Sequence, residues 1–173
     1  MRLKFFSTAI IFIFSFSSAN AFELSSSAFS NEGKIPKKYA CTNKGGKNIS
    51  VPLEISGVPD QSKSLAIVMD DPDAQSVAGK TWVHWVLTDV PLDKTSIPEI
   101  KNGKHKFGKL GRNSSGSRSY QGMCPPSMHK YFIAVYALND VIGKKLGSLT
   151  RKKFESKYKK LIIRKAEISG TFP

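Results

Sequence analysis

VMDDPDAQSVAGKTWVHWV, residues 68–86, joins two apolar segments through an acidic turn. The run Leu65–Met69 that leads into it reads as a buried strand. It stops at three carboxylates, Asp70, Asp71 and Asp73, split by Pro72. A short way on, Trp82–Val86 alternates as the next strand, and a period of two puts Trp82 and His84 on one face with Val83 and Trp85 on the other. Carboxylates at a strand end, set beside an imidazole and an indole, make a small polar pocket in an otherwise apolar sheet. That pocket is the expected functional site.

Working outward, Ser64–Met69 and Thr81–Val90 are the central strands, the second closed by Pro91. Phe22–Phe29 and Val51–Ile55 read as earlier strands. His129–Leu138 alternates over its whole length, with His129, Tyr131, Ile133, Val135 and Ala137 on one face and Lys130, Phe132, Ala134, Tyr136 and Leu138 on the other. Both faces are apolar, so this strand is expected to be buried on both sides. Thr150 can cap a helix running to about Lys165, with Phe154, Tyr158, Leu161 and Ile162 as its apolar stripe. Glu167–Phe172 alternates again as a last strand. Between Leu92 and Gln121 periodicity fails, and the stretch reads as a long exposed loop that either covers the pocket or is slack. Many strands with one clear late helix, near 150–165, predict a mostly-β fold: an antiparallel β-sandwich with peripheral helices.

At 173 residues the chain suits a single domain, since a chain near 150 residues buries roughly two-thirds of the surface it exposes unfolded. Arg2 and Lys4 precede an apolar run from Ala9 to Phe16, and Ala19-Asn20-Ala21 supplies a small-x-small cleavage pattern. Residues 1–21 therefore read as a removable signal peptide, leaving 22–173 as the domain and predicting a periplasmic or secreted protein. The chain carries 27 basic residues against 13 acidic ones. Ten of the basic residues fall within Lys144–Lys165, where Glu155 is the lone acid. That face is either simply solvated or docks on an anionic membrane or polymer. Cys41 and Cys124 are the only cysteines, and in an oxidising compartment a disulfide between them is the default reading, with two separate buried thiols as the alternative. No C-x-x-C pair or regular histidine spacing accompanies them, so no metal site is expected.

Three separated segments together resemble one known family. Asp70-Asp71-Pro72-Asp73-Ala74, then Trp82-Val83-His84-Trp85, then Cys124-Pro125-Pro126 followed by His129-Lys130-Tyr131 are similar, in order and spacing, to the signature blocks of the phosphatidylethanolamine-binding protein (PEBP) family. Ile35-Pro36, Tyr39-x-Cys41, Asn48-x-Ser50, Lys63-Ser64 and Tyr136-Ala137-Leu138 resemble its bacterial and archaeal branch, the Raf kinase inhibitor-like proteins. The pattern departs at Gln75, where a proline usually stands, and at Met123, Val51 and Ile55.

The resemblance implies a β-sandwich with a small anion-binding pocket at one end. Carried over residue by residue, that pocket would use Asp71, Asp73, Trp82, His84, Pro125, Pro126, His129 and Tyr131. Prolines give a stiff wall without N–H donors, histidines can donate to a phosphate-like oxygen, and aspartates can orient histidines or accept from a headgroup amine. It further implies a small anion or phospholipid headgroup as ligand, and a kinase or serine protease as protein partner. No cofactor is expected, and nucleic acid is not an expected partner. The alternative is a hydrolase-like enzyme using Asp71, Asp73, His84 and His129 as acid–base groups. It has no G-x-S-x-G elbow to support it.

Overall fold

The computed structural model describes residues 21–173; the expected signal peptide lies almost wholly outside the described residues. Its centre is β3 (Ser64–Asp71), buried at every position, with β4 (Trp82–Val90) on one side and β7 (His129–Leu138) on the other. β6 (Lys109–Leu110) and β8 (Ile162–Phe172) complete a five-stranded antiparallel sheet in the order β6-β4-β3-β7-β8. A smaller antiparallel sheet, β1 (Glu23–Ser25), β2 (Leu53–Ser56) and β5 (Ser96–Ile97), runs in the order β1-β2-β5. Alternation on each strand sends Leu24, Leu53, Ile55 and Ile97 against Leu65, Ile67, Ile133, Val135 and Ala137 to form the core between the sheets. The predicted mostly-β antiparallel sandwich is thus what the chain forms.

The other face of the large sheet is covered by a helix, α2 (Arg151–Tyr158). Phe154 and Tyr158 pack on Ala66, Val68, Val83, Ala134, Tyr136 and Leu138 as a second core. Thr150 caps it as expected, its hydroxyl accepting from the Lys153 N–H at 3.2 Å. The helix is half the predicted length. Its apolar spacing continues through Leu161 and Ile162, but Lys159-Lys160 turns the chain, and the β-branched pair Ile162-Ile163 joins β8 beside β7. Pairing along an existing strand outweighs helical periodicity in a segment too short to hold a helix alone.

Two further expectations change. Strand β1 covers three residues of the predicted Phe22–Phe29, although Phe29 is still buried. The stretch Leu92–Gln121 is neither slack nor a lid: it contributes β5 and β6, and it buries Ile97, Asn113 and Tyr120. Asn113 organises its turn by accepting from the backbone N–H of Ser115 and of Ser117 at 3.1 Å each. Ser114 ties that turn to β4 through Val83, donating its N–H to the Val83 carbonyl and accepting the Val83 N–H on its hydroxyl. Local side-chain bonds replace apolar periodicity here, which is why pattern alone misread it.

Asp70, buried on the α2 side of β3, accepts from Arg151 twice, from Nε at 2.6 Å and from the backbone N–H at 2.8 Å. Arg151 also lies over the Phe132 ring and pairs with Glu167. Replacing Arg151 by Met should therefore cost about 3–5 kcal/mol in urea unfolding, because it strands a buried carboxylate. The double change Arg151→Met with Asp70→Leu should recover most of that loss.

Candidate functional site

Antiparallel pairing brings the C-terminal end of β3 beside the starts of β4 and β7, and Asp71, Trp82 and His129 meet there. The β3–β4 connection forms one helical turn, α1 (Gln75–Ala78), closed by Gly79 at φ 67°. Gln75, where the family pattern has proline, opens this turn. The result is a cavity of about 180 Å³. Asp71, Trp82, His84, His129 and Tyr131 line it from the sheet, Ala74, Val77 and Ala78 from the turn, and Gln121, Gly122, Cys124, Pro125 and Pro126 from the segment before β7.

Seven of the eight predicted site residues share this cavity. Asp73 does not line it: its exposed carboxylate accepts from the Lys130 N–H at 2.8 Å and so pins the acidic turn to β7. Asp71 faces inward and is almost fully buried. Its Oδ2 is 2.8 Å from His129 Nδ1, and its Oδ1 accepts from the Ala74 N–H at 3.1 Å. A carboxylate only accepts, so the hydrogen of that contact sits on His129 Nδ1.

The predicted face assignment on β4 is corrected by a bulge. Met69 pairs with Trp85 and Asp70 with Val83, which leaves His84 as the extra residue. His84 and Trp85 consequently point to the same side of the sheet, Trp85 into the inter-sheet core and His84 into the cavity, while Val83 packs with the α2 core. His84 Nδ1 lies 2.8 Å from the Gln121 carbonyl. His84 Nε2 and the Tyr131 hydroxyl are buried with no hydrogen-bond partner in the protein. The rings of His84 and Tyr131 meet edge-on at 5.2 Å, and Tyr131 stacks on His129 at 6.4 Å.

Burial holds His84 below the ordinary histidine value, against the opposing pull of the Gln121 carbonyl and the Asp71 and Asp70 charges. Burial likewise pushes the Tyr131 phenol upward, and the Asp71 charge adds to it. Both groups are therefore neutral near pH 7.

Gln121 was not predicted. Its side-chain carbonyl accepts from Trp82 Nε1 at 3.0 Å while its backbone carbonyl holds His84, so one residue fixes two rings. Its position at the end of a loop gave no signal beyond adjacency to the Cys-Pro-Pro block. Cys124 is bonded to Cys41, the expected pairing. The Cys41 N–H donates to the Met123 carbonyl at 3.0 Å, and Gly122 packs so closely on Ala40 that a Cβ there would lie 2.4 Å from the Ala40 carbonyl carbon. Met123 is fully buried in the inter-sheet core, where it fills space rather than lining the cavity. Among the described residues no group of three His, Cys, Asp or Glu side chains is placed to hold a metal ion.

An antiparallel sandwich with a histidine- and aspartate-lined hollow at one end of its larger sheet defines the class of fold to which the chain belongs. The chain belongs to the phosphatidylethanolamine-binding protein family, whose model matches residues 25–173. It is 43% identical over 129 residues to a UPF0098 protein of Methanothermobacter thermautotrophicus, covering 72% of this chain and 82% of that one. It is 36% identical to a UPF0098 protein of Aquifex aeolicus, covering 87% of each. Among solved structures it is similar to the PEBP homolog CT736 of Chlamydia trachomatis, with a TM-score of 0.77, 34% identity and coverage of 89% and 98% of the two chains. It is also similar to Escherichia coli YbcL, described as a member of the mammalian PEBP family, with a TM-score of 0.75, 26% identity and coverage of 87% and 97%.

Because the folded His84 stays neutral while the unfolded one protonates near its ordinary value of about 6.5, the unfolded chain binds more protons below that pH. The stability this contributes is complete above about pH 6.5 and is lost as pH falls toward the lower folded value. His84→Asn keeps a donor for the Gln121 carbonyl and removes the titration. Thermal melts from pH 7.5 to 5 should show a shallower loss of Tm in His84→Asn than in the parent chain.

Proposed function

We propose that this PEBP-family protein is an exported binding protein whose end cavity takes a small oxyanion of the phosphate type, either free or as a headgroup. The observation that carries this reading is that His84 and Tyr131 line one small hollow and each has a buried polar atom, Nε2 and Oη, without a well-formed hydrogen bond in the protein. Buried polar groups are nearly always paired, and a ligand bearing oxygens would pair these two. The size agrees: about 180 Å³ is well under the 300–1,000 Å³ typical of drug-sized sites. Pro125 and Pro126 supply a wall that adds no competing donors.

Export is supported by the Cys41–Cys124 bond, which persists in oxidising compartments. The family expectation of action on a partner protein, a kinase or a serine protease, belongs to the same proposal. Val77 on the cavity wall is more than half exposed and gives the mouth an apolar edge that a partner could cover.

Calorimetric titration with phosphoethanolamine tests the reading. Tyr131→Phe removes a hydroxyl that makes no well-formed hydrogen bond in the protein, the Asp71 carboxylate being its near neighbour, so Tm should change little. Affinity should fall about tenfold, the worth of one buried hydrogen bond of about 1.5 kcal/mol. Equal affinity in the two proteins, or no binding by the parent chain, would remove the proposal.

A further inference from the structure

The hydrogens of the cavity can be assigned one by one, and they decide which anion fits. His84 Nδ1 faces the Gln121 carbonyl at 2.8 Å, an atom that only accepts, so that nitrogen carries hydrogen whether the ring is charged or not. The neutral ring then turns a bare lone pair on Nε2 toward the cavity, and that atom is buried and unpartnered. Trp82 has spent its one N–H on Gln121 Oε1. The hydrogen on His129 Nδ1 is spent on Asp71. Tyr131 offers its hydroxyl, which makes no well-formed hydrogen bond although the Asp71 carboxylate lies near it, and His129 keeps its second ring nitrogen, Nε2, unspent.

The charged and titratable groups around His84 do not change this sum. Asp71 on β3 is held by His129 and by the Ala74 N–H; Asp70 lies on the opposite face of the sheet, bound to Arg151; His129 and Tyr131 face it from β7. Among the described residues no lysine or arginine lines the cavity; Lys80 lies 5.1 Å over the ring of Trp82. A phosphate dianion placed against His84 would thus press an oxygen lone pair against the lone pair of Nε2, with no lysine or arginine of the described residues lining the cavity to compensate.

Resting on the anion-pocket reading above, we infer that the cavity takes its oxyanion together with a proton: the favoured ligand is a phosphate monoester as the monoanion, its P–OH hydrogen bonded to His84 Nε2 and a phosphoryl oxygen accepting from Tyr131. A phosphodiester carries no such hydrogen. It therefore binds this site only by forcing His84 to charge, which burial opposes. The site consequently prefers a monoester over the diester linkage of an intact phospholipid headgroup. It also takes up a proton whenever the free ligand is the dianion, as phosphate monoesters are above a second pKa of about 6.

The test is calorimetry on the full chain with methyl phosphate and dimethyl phosphate between pH 5 and 8, each in two buffers of different ionisation heat. Methyl phosphate should bind with uptake of about one proton at pH 8, its affinity falling about tenfold per pH unit above the ligand's second pKa of about 6. Dimethyl phosphate should bind at least tenfold more weakly than methyl phosphate at pH 6. In His84→Asn, confirmed as folded by its amide spectrum, the preference for the monoester should shrink. Binding of both esters with equal affinity and no proton uptake would overturn this inference and leave the anion pocket standing. Tighter binding of the diester would instead identify a phospholipid headgroup as the ligand. Binding of neither ester at any pH would overturn the anion-pocket reading itself.

Discussion

Two neighbouring carboxylates on the middle strand of a sandwich have to be neutralised in opposite directions. Asp70 and Asp71 are both almost completely buried, and strand alternation sends one to each face of the sheet. Neither can lie there uncompensated, because an isolated buried carboxylate costs far more than any single packing contact returns. Asp70 is met by the first residue of α2, through both its backbone N–H and its guanidinium. Asp71 is met by His129 at the start of β7 and by the backbone of the β3–β4 turn. The placement of the helix on one face and of the cavity walls on the other thus follow from one dipeptide.

That dipeptide was visible in the sequence, and so were the strands around it. β3, β4 and β7 are long and apolar, and β7 shows the face assignment that its alternation predicts. The blocks that carry the family resemblance fell at strand ends, where antiparallel pairing gathers them. What could not be read was the bulge at His84, because a bulge is a property of two strands and not of one. Alternation along Trp82–Trp85 taken alone puts Trp85 opposite His84, yet pairing with β3 puts both on the same side. Asp73 illustrates the same limit. Its residue type suits the pocket, but Ala74 follows into a turn that points the carboxylate at the β7 backbone instead.

The elements that were misread share a cause. Leu161 and Ile162 fit a helical stripe and a strand edge equally well, and only the presence of β7 decides between them. The segment from Leu92 to Gln121 lacks any apolar period because its order comes from Asn113, Ser114 and Arg118 bonding to backbone, including the Arg118 guanidinium on the carbonyls of Leu110 and Leu146. Gln121, the residue that orients both Trp82 and His84, sits at the end of that segment. It acts partly through its main-chain carbonyl, which any residue would supply, so its type carried little information. Disulfide bonding of Cys124 to Cys41 then fixes the wall that follows it.

On the proposed reading, a strongly basic chain whose cavity is lined by no lysine or arginine of the described residues separates attraction from selection. The chain's formal charge is +14, and a positive excess of this kind raises the local concentration of anions and steers them without distinguishing among them. Within Lys144–Lys165, Arg151 and Lys165 are already committed to the carboxylates of Asp70, Glu155 and Glu167. What the surface contributes is in any case screened within about 8 Å at physiological salt. Lining the hollow are a phenol, an imidazole nitrogen that accepts, and a carboxylate held by the Nδ1 hydrogen of His129. A ring of ammonium groups would hold any anion of the right size. If the hollow takes an oxyanion as proposed, a donor and an acceptor held by Gln121 and β7 favour a ligand that presents the complementary pair, and discrimination then rests on where hydrogens are rather than on how much charge is present.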